Sequence, residues 1–87
     1  MKFGMMLPNL GPIATGPDAL DSLITIAQHA EDLGVDSLWV ADHVVMATSI
    51  ESWYPYSADG QFPADPSQGI LDPLTTLGYL AAVTKNV

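Results

Sequence analysis

The sequence lacks several residue types on which whole classes of function depend. It contains no cysteine, which excludes disulfides, thiolate metal sites and cysteine nucleophiles together. It contains no arginine, and its only cations, Lys2 and Lys85, stand against ten acidic residues, giving a formal charge of −8. Because nucleic acids and anionic membrane surfaces are bound through Lys and Arg, we expect neither as a partner.

Long apolar runs are also missing. The first apolar run ends at Pro8. This run is too short for the core of a signal peptide. No other stretch approaches the roughly 20 apolar residues that a membrane-spanning helix needs. The sequence therefore predicts a cytoplasmic protein.

The residues that are present alternate between short apolar runs and a helical pattern. The runs KFGMML (2–7) and SLWVA (37–41) are typical of buried strands of a parallel sheet. Residues 9–17 hold two Gly and two Pro and predict a loop. Between this loop and Gly34, apolar residues recur with the 3.6-residue period of a helix, at Leu20, Leu23, Ile24, Ala27 and Ala30. The order predicts a βαβ unit.

A long connection and a second helix follow. Residues 44–71 show neither a helical nor an alternating period, and a loop of this length is usually functional or disordered. Asp72 and Pro73 suit the N-cap and first position of a helix. Its buried stripe is predicted at Leu74, Leu77, Leu80, Ala81 and Thr84. Two strands and two helices cannot cover one another, so we expect residues 1–87 to form a single partial domain cut from a larger protein.

Two polar pairs follow the predicted strands. Asp42 and His43 follow the second strand, and Pro8 and Asn9 follow the first. In parallel α/β proteins the active site lies at these strand ends, and a histidine there can transfer a proton near neutral pH. The alternative is that Asp42 caps a turn, His43 faces solvent and Asn9 is a turn residue.

Other candidate residues lie in the long loop and on the first helix. The aromatic side chains Trp53, Tyr54, Tyr56 and Phe62 either wall a pocket over a flat ring system or pack the loop onto its own domain. His29 falls on the polar face of the first helix, where solvation is expected. It has no metal-ligand spacing to His43, and no metal site is predicted.

Four stretches resemble the bacterial luciferase-like monooxygenase family. They are KFGMMLPN (2–9), AEDLGVDSLWVADHV (30–44), LDPLTTLGYLAAVTKNV (71–87) and YPYSADGQFP (54–63), the last being similar to the F420-dependent oxidoreductase branch. The resemblance covers essentially the whole chain. The DSLWVADH stretch is a fairly specific motif, whereas the match in the second helix is looser.

The resemblance implies a fold, a cofactor and roles for particular residues. The fold would be α/β, the N-terminal β-α-β-α portion of a TIM (β/α)8 barrel, and the cofactor F420 or, alternatively, FMN. Asp42, His43, Pro8 and Asn9 would bind the cofactor, with His43 catalytic, and Trp53, Tyr54 and Tyr56 would line the substrate pocket. Phosphate-binding loops would lie outside this chain, so the fragment alone should bind F420 weakly or not at all, and any activity would belong to the parent chain.

Three functions remain open from the sequence. The first is hydride transfer between F420 and an organic substrate, and the second is an FMN-dependent monooxygenase that passes electrons to oxygen. In both, the partners are a small-molecule substrate and the cofactor, and a homodimer of the parent chain is left open. The third is a non-catalytic α/β module that covers its strands with further copies of itself.

Overall fold

The computed structural model describes residues 1–62 and 64–87, so Pro63 of the predicted loop 44–71 lies outside the described residues. The elements, in chain order, are β1 (Gly4–Met6), α1 (Pro12–Thr15), α2 (Ala19–Asp32), β2 (Ser37–Trp39) and α3 (Pro73–Val83). The two helices predicted from the sequence are α2 and α3. The predicted α/β order is confirmed, whereas the complete barrel remains a prediction.

The two strands pair in parallel. Met5 lies opposite Leu38 in the register. Backbone hydrogen bonds extend the pairing beyond both ends of the strands, from the Leu7 N–H to the Trp39 carbonyl at 2.7 Å and from the Asp36 N–H to the Phe3 carbonyl at 2.8 Å. Because the strands run the same way, residues that follow β1 and β2 emerge at one shared edge, here called the carboxyl edge.

The core lies between this sheet and the two longer helices. Its fully buried apolar residues are Leu7, Leu23, Ala27 and Leu80. Leu23 and Ala27 are separated by one turn of α2 and lie on the same face. Half-buried side chains from both strands and both helices complete the packing: Met5, Ile24, Ile26, Leu38, Val40, Leu71 and Val83. The predicted apolar face of α2 is thus confirmed at its centre.

Helix α3 begins as predicted but buries a different face. The Asp72 carboxylate accepts a hydrogen bond from the Thr75 N–H at 2.7 Å, and hydrogen bonding by Thr75 lowers the pKa of Asp72. The buried residues are Thr76 and Leu80. Leu74, which is 79 % exposed, and Ala81 were wrongly predicted to belong to the buried stripe. The helix is apolar nearly all round, so its periodicity does not identify the buried side.

A short helix interrupts the segment predicted to be a loop. Helix α1 starts with Pro12 at its first position, directly after Gly11, which has a φ of 80°. The Thr15 hydroxyl donates to the Gly11 carbonyl at 3.1 Å, and Ala14 is buried. Residues 9–17 are therefore not wholly loop, because a proline that follows a glycine can begin a turn of helix as well as end an element.

Glu31 ties the end of α2 to the chain that follows α3. Its Oε1 atom accepts hydrogen bonds from three consecutive backbone N–H groups: Lys85 at 2.7 Å, Asn86, and Val87 at 3.3 Å. These bonds, with that from Asn86 the largest contribution, lower the pKa of Glu31 from its ordinary value of 4.5. The carboxylate thus fixes the two chain segments to each other in its ionised form.

We expect the stability contributed by Glu31 to depend on pH. The pKa is lower in the folded state than in the unfolded state, so the contribution is full above about pH 4.5 and is lost as the pH falls through the folded pKa. The measurement is the free energy of unfolding of wild type and Glu31→Gln from neutral to acid pH. The difference between the two should shrink in acid; a difference that is independent of pH would contradict the assignment.

The described part of the loop 44–71 contains neither a helix nor a strand. Several large apolar residues remain exposed on the molecule, among them Leu33, Val44, Val45 and Leu74. Among the described residues, no helix combines the length and apolar character required to cross a membrane.

Candidate functional site

The carboxyl edge of the sheet gathers the polar residues that the sequence singled out. Asn9 follows β1, and Asp42 and His43 follow β2. Asp72, at the start of α3, reaches the same edge because its neighbour Leu71 is hydrogen-bonded to Asn9. Such strand ends carry the binding and catalytic groups of parallel α/β proteins. The geometry of this edge is set mainly by one residue, Asn9.

Asn9 is fully buried, with 0 % of its surface exposed. Its Nδ2 donates to the Ala41 carbonyl at 2.7 Å and to the Leu71 carbonyl at 3.2 Å. Its Oδ1 accepts the Ala41 N–H at 2.9 Å, and its backbone carbonyl accepts the Leu71 N–H at 3.2 Å. One side chain therefore joins the end of β1, the end of β2 and the start of α3.

These bonds define what Asn9 does at the carboxyl edge. Both amide hydrogens and the amide oxygen bond within the chain, and none of the side chain is exposed, so its task here is to hold backbone groups together. By holding both backbone groups of Ala41, Asn9 fixes the residue that immediately precedes Asp42. A direct contact of Asn9 or of the half-buried Pro8 with a cofactor stays a prediction.

Asp42 and His43 are both exposed at this edge. The His43 ring lies against the Phe62 ring, with centroids 5.8 Å apart and an interplanar angle of 72°. An exposed imidazole on an anchored strand end is accessible to a ligand and able to donate or accept a proton. The sequence indicates His43 as a candidate but not its contact with Phe62, which lies 19 residues further along the chain.

Phe62 belongs to an aromatic cluster, defined here as His43, Phe62, Tyr54 and Tyr56. Tyr54 packs against Phe62 at 5.1 Å and against Tyr56 at 5.5 Å, both edge to face. Tyr54 is half-buried, whereas Tyr56 is 85 % exposed. The cluster thus runs from the carboxyl edge into the long loop, and its outer member is open to solvent.

Trp53 lies apart from this cluster. It is 70 % exposed, and a Cβ at Gly60 would overlap its ring. Gly60 has a φ of 72°, and its carbonyl accepts the Tyr54 N–H at 2.8 Å, which closes the loop into a turn. Trp53 therefore covers a glycine that has no room for a side chain, and its predicted place in a substrate pocket stays a prediction.

Charge is distributed unevenly between the two edges of the sheet. Lys2 immediately precedes Phe3, whose carbonyl accepts the Asp36 N–H at the opposite edge of the sheet from Asp42. Lys85 follows α3 and lies next to the end of α2. Both cations of the described chain therefore lie away from the carboxyl edge, where Asp42 and Asp72 stand. Nor do three or more His, Asp or Glu side chains gather as a metal-binding group within residues 1–62 and 64–87. This edge suits a neutral ring better than an anion.

Two cavities adjoin these elements. One, of about 340 Å³, opens beside Phe62 and is lined by both polar and apolar loop residues: Thr48, Ser49, Ile50, Gln61, Ala64 and Pro66. The other, of about 440 Å³, is an apolar groove between α2 and the amino-terminal side of the sheet, lined by Met5, Thr25, Ile26, His29, Ala30, Leu33 and Val35. The exposed His29 is at its rim, away from the carboxyl edge. Of the two, only the cavity beside Phe62 adjoins the aromatic cluster.

Comparison with known proteins identifies a family. The model of the luciferase-like monooxygenase family matches residues 1–87. No protein of curated function and no solved structure matches the chain.

Proposed function

Since this chain belongs to the luciferase-like monooxygenase family, we propose that it contributes the first part of an F420 site, at which a hydride passes between the cofactor and an organic substrate. The observation that carries the proposal is the position of His43. Its exposed ring stands at the carboxyl edge, on a strand end that Asn9 anchors, beside the aromatic cluster.

The residues at this edge fit the ring of such a cofactor. A deazaflavin ring is flat and aromatic with polar groups along its rim, and it can be bounded by the aromatic cluster and approached by the exposed Asp42 and His43. The anionic tail does not find partners here, because Lys2 and Lys85 lie away from this edge. The described residues therefore suit the reacting ring, and cations outside them would hold the tail.

Each residue has a distinct task in this proposal. When bound, F420 supplies hydride chemistry. His43 donates or accepts a proton at an imidazole nitrogen, and Asp42 orients the bound ring or the substrate by accepting a hydrogen bond. Asn9 holds the strand end that presents both of them. Tyr54 and Tyr56, with Trp53 further out, would cover the substrate and exclude water.

FMN is the alternative cofactor, favoured by the description of the family as monooxygenases. An FMN enzyme of this family would use the same edge but pass electrons to oxygen. Against it stands the resemblance of residues 54–63 to the F420-dependent branch; this segment supplies Tyr54, Tyr56 and Phe62 to the aromatic cluster.

A binding titration separates the two cofactors. The full-length protein encoded by the reading frame is titrated with F420 and, separately, with FMN, and binding is followed by the change in cofactor fluorescence. We expect saturable binding of F420 and much weaker binding of FMN. Preferential binding of FMN would assign the site to the monooxygenase chemistry, and binding of neither would show that the family fold is present without this site.

A further inference from the structure

The orientation of the His43 ring is restrained by few contacts other than that with one aromatic neighbour. Within residues 1–62 and 64–87 the imidazole makes no hydrogen bond, and the residue is exposed. Its backbone position is set through Ala41, but the two side-chain torsions are not. An unrestrained imidazole at a strand end would sample several rotamers, which weakens any role that depends on orientation.

Phe62 supplies the missing constraint. It lies 5.8 Å from the His43 ring, centroid to centroid, at an angle of 72°, which is the edge-to-face arrangement that aromatic pairs prefer. Phe62 is itself half-buried, so its ring is less free to move away than the imidazole is.

A chain of contacts holds Phe62 in turn. Tyr54 packs edge to face on Phe62 with centroids 5.1 Å apart. The Tyr54 backbone is closed onto the turn by its 2.8 Å hydrogen bond to Gly60, whose positive φ of 72° favours glycine at that position. The order of support therefore runs from the turn at Gly60 to Tyr54, to Phe62, and finally to His43.

We propose that Phe62 is a positioning residue that fixes the orientation of the His43 imidazole at the carboxyl edge. Phe62 orients the imidazole whether or not a cofactor is bound. The consequence of this orientation for turnover rests on the F420 function proposed above. The long loop then has a second task besides covering the site, because it delivers the ring that orients a strand-end histidine.

The first test reads the imidazole directly. The Hα–Hβ couplings of His43, which report its rotamer populations, are measured by NMR in the full-length protein as wild type, Phe62→Leu and Phe62→Tyr, with His29 as an internal reference. Phe62→Leu removes the neighbouring ring, so the His43 couplings should move toward the values of a freely rotating side chain while those of His29 stay in place. Phe62→Tyr keeps the ring and should leave both unchanged. The control is Phe3→Leu, which removes the other phenylalanine, 58 % exposed and remote from His43.

The second test measures turnover of the full-length protein with F420. Phe62→Leu should lower kcat on the order of 10-fold or more with KM nearly unchanged. Phe62→Tyr, which keeps the aromatic ring, should retain the kcat of wild type. Unchanged His43 couplings in Phe62→Leu, or an unchanged kcat, would overturn the positioning role. Averaged couplings in Phe62→Leu, in a protein whose wild type does not turn over F420, would support the positioning role and overturn the proposed function alone.

Discussion

Replacement of Asn9 by alanine is expected to lower the free energy of unfolding by about 3 kcal/mol, by the usual cost of leaving buried polar groups unpaired. The change leaves three backbone groups without a hydrogen-bond partner where β1, β2 and α3 meet. They are the N–H and the carbonyl of Ala41 and the carbonyl of Leu71. Chemical denaturation followed by circular dichroism measures the effect. Because the junction also sets the strand end before Asp42, cofactor binding should weaken as well.

Two further variants sharpen this prediction. Asn9→Asp retains the size of the side chain but turns an oxygen toward the carbonyls of Ala41 and Leu71, so it should destabilise the protein nearly as much as alanine does. The matched control is Asn86→Ala, at the other asparagine, which is exposed and should change stability little. An Asn9→Asp protein as stable as wild type would contradict the assigned hydrogen bonds.

Replacement of His43 by alanine is expected to reduce turnover with F420 on the order of 100- to 10,000-fold, which is the usual contribution of a positioned acid or base. Stability should change little, because His43 is exposed and its one ring contact is with Phe62. Steady-state kinetics and thermal unfolding of the same preparations separate the two effects.

The matched control for this variant is His29→Ala. His29 is the only other histidine, is also exposed, and lies on α2 away from the carboxyl edge. The His29→Ala variant should turn over F420 as wild type does. If His43→Ala retained wild-type turnover, proton transfer by His43 would be ruled out, whatever the cofactor.

The order of the elements was predictable because local patterns determine it. The apolar runs around Met5 and Leu38 match the parallel strands, and the period through Leu23 and Ala27 matches α2. The strands are shorter than the runs that predicted them, although backbone hydrogen bonds at Phe3 and Leu7 carry the pairing over nearly the whole first run. Asp72 and Pro73 located the start of α3 correctly, because capping is chemistry between near neighbours.

Features that depend on tertiary packing were predicted less well. The prediction of the buried face of α3 was wrong at Leu74 and Ala81, since apolar residues occur on every side of this helix. Only contact with the rest of the molecule determines that Thr76 and Leu80 are buried. Helix α1 was missed because Gly and Pro punctuate loops and helix starts alike.

The candidate site was located from the sequence, but its connections were not. The position of Asn9 after a strand suggested either a turn or a ligand contact, whereas its hydrogen-bond partners lie 32 and 62 residues away. No local pattern reveals such a junction. The sequence groups the aromatic residues of the loop together. Only the structure shows that Trp53 lies against Gly60 whereas Phe62 packs against His43.

The most direct test of the role of the carboxyl edge is a crystal structure of the full-length protein with F420 bound. We expect the deazaflavin ring to lie at the carboxyl edge, in contact with His43 and bounded by the aromatic cluster. A ring bound elsewhere, for instance in the apolar groove lined by Met5, Ile26 and Leu33, would contradict this expectation and would leave His43 without the proposed role.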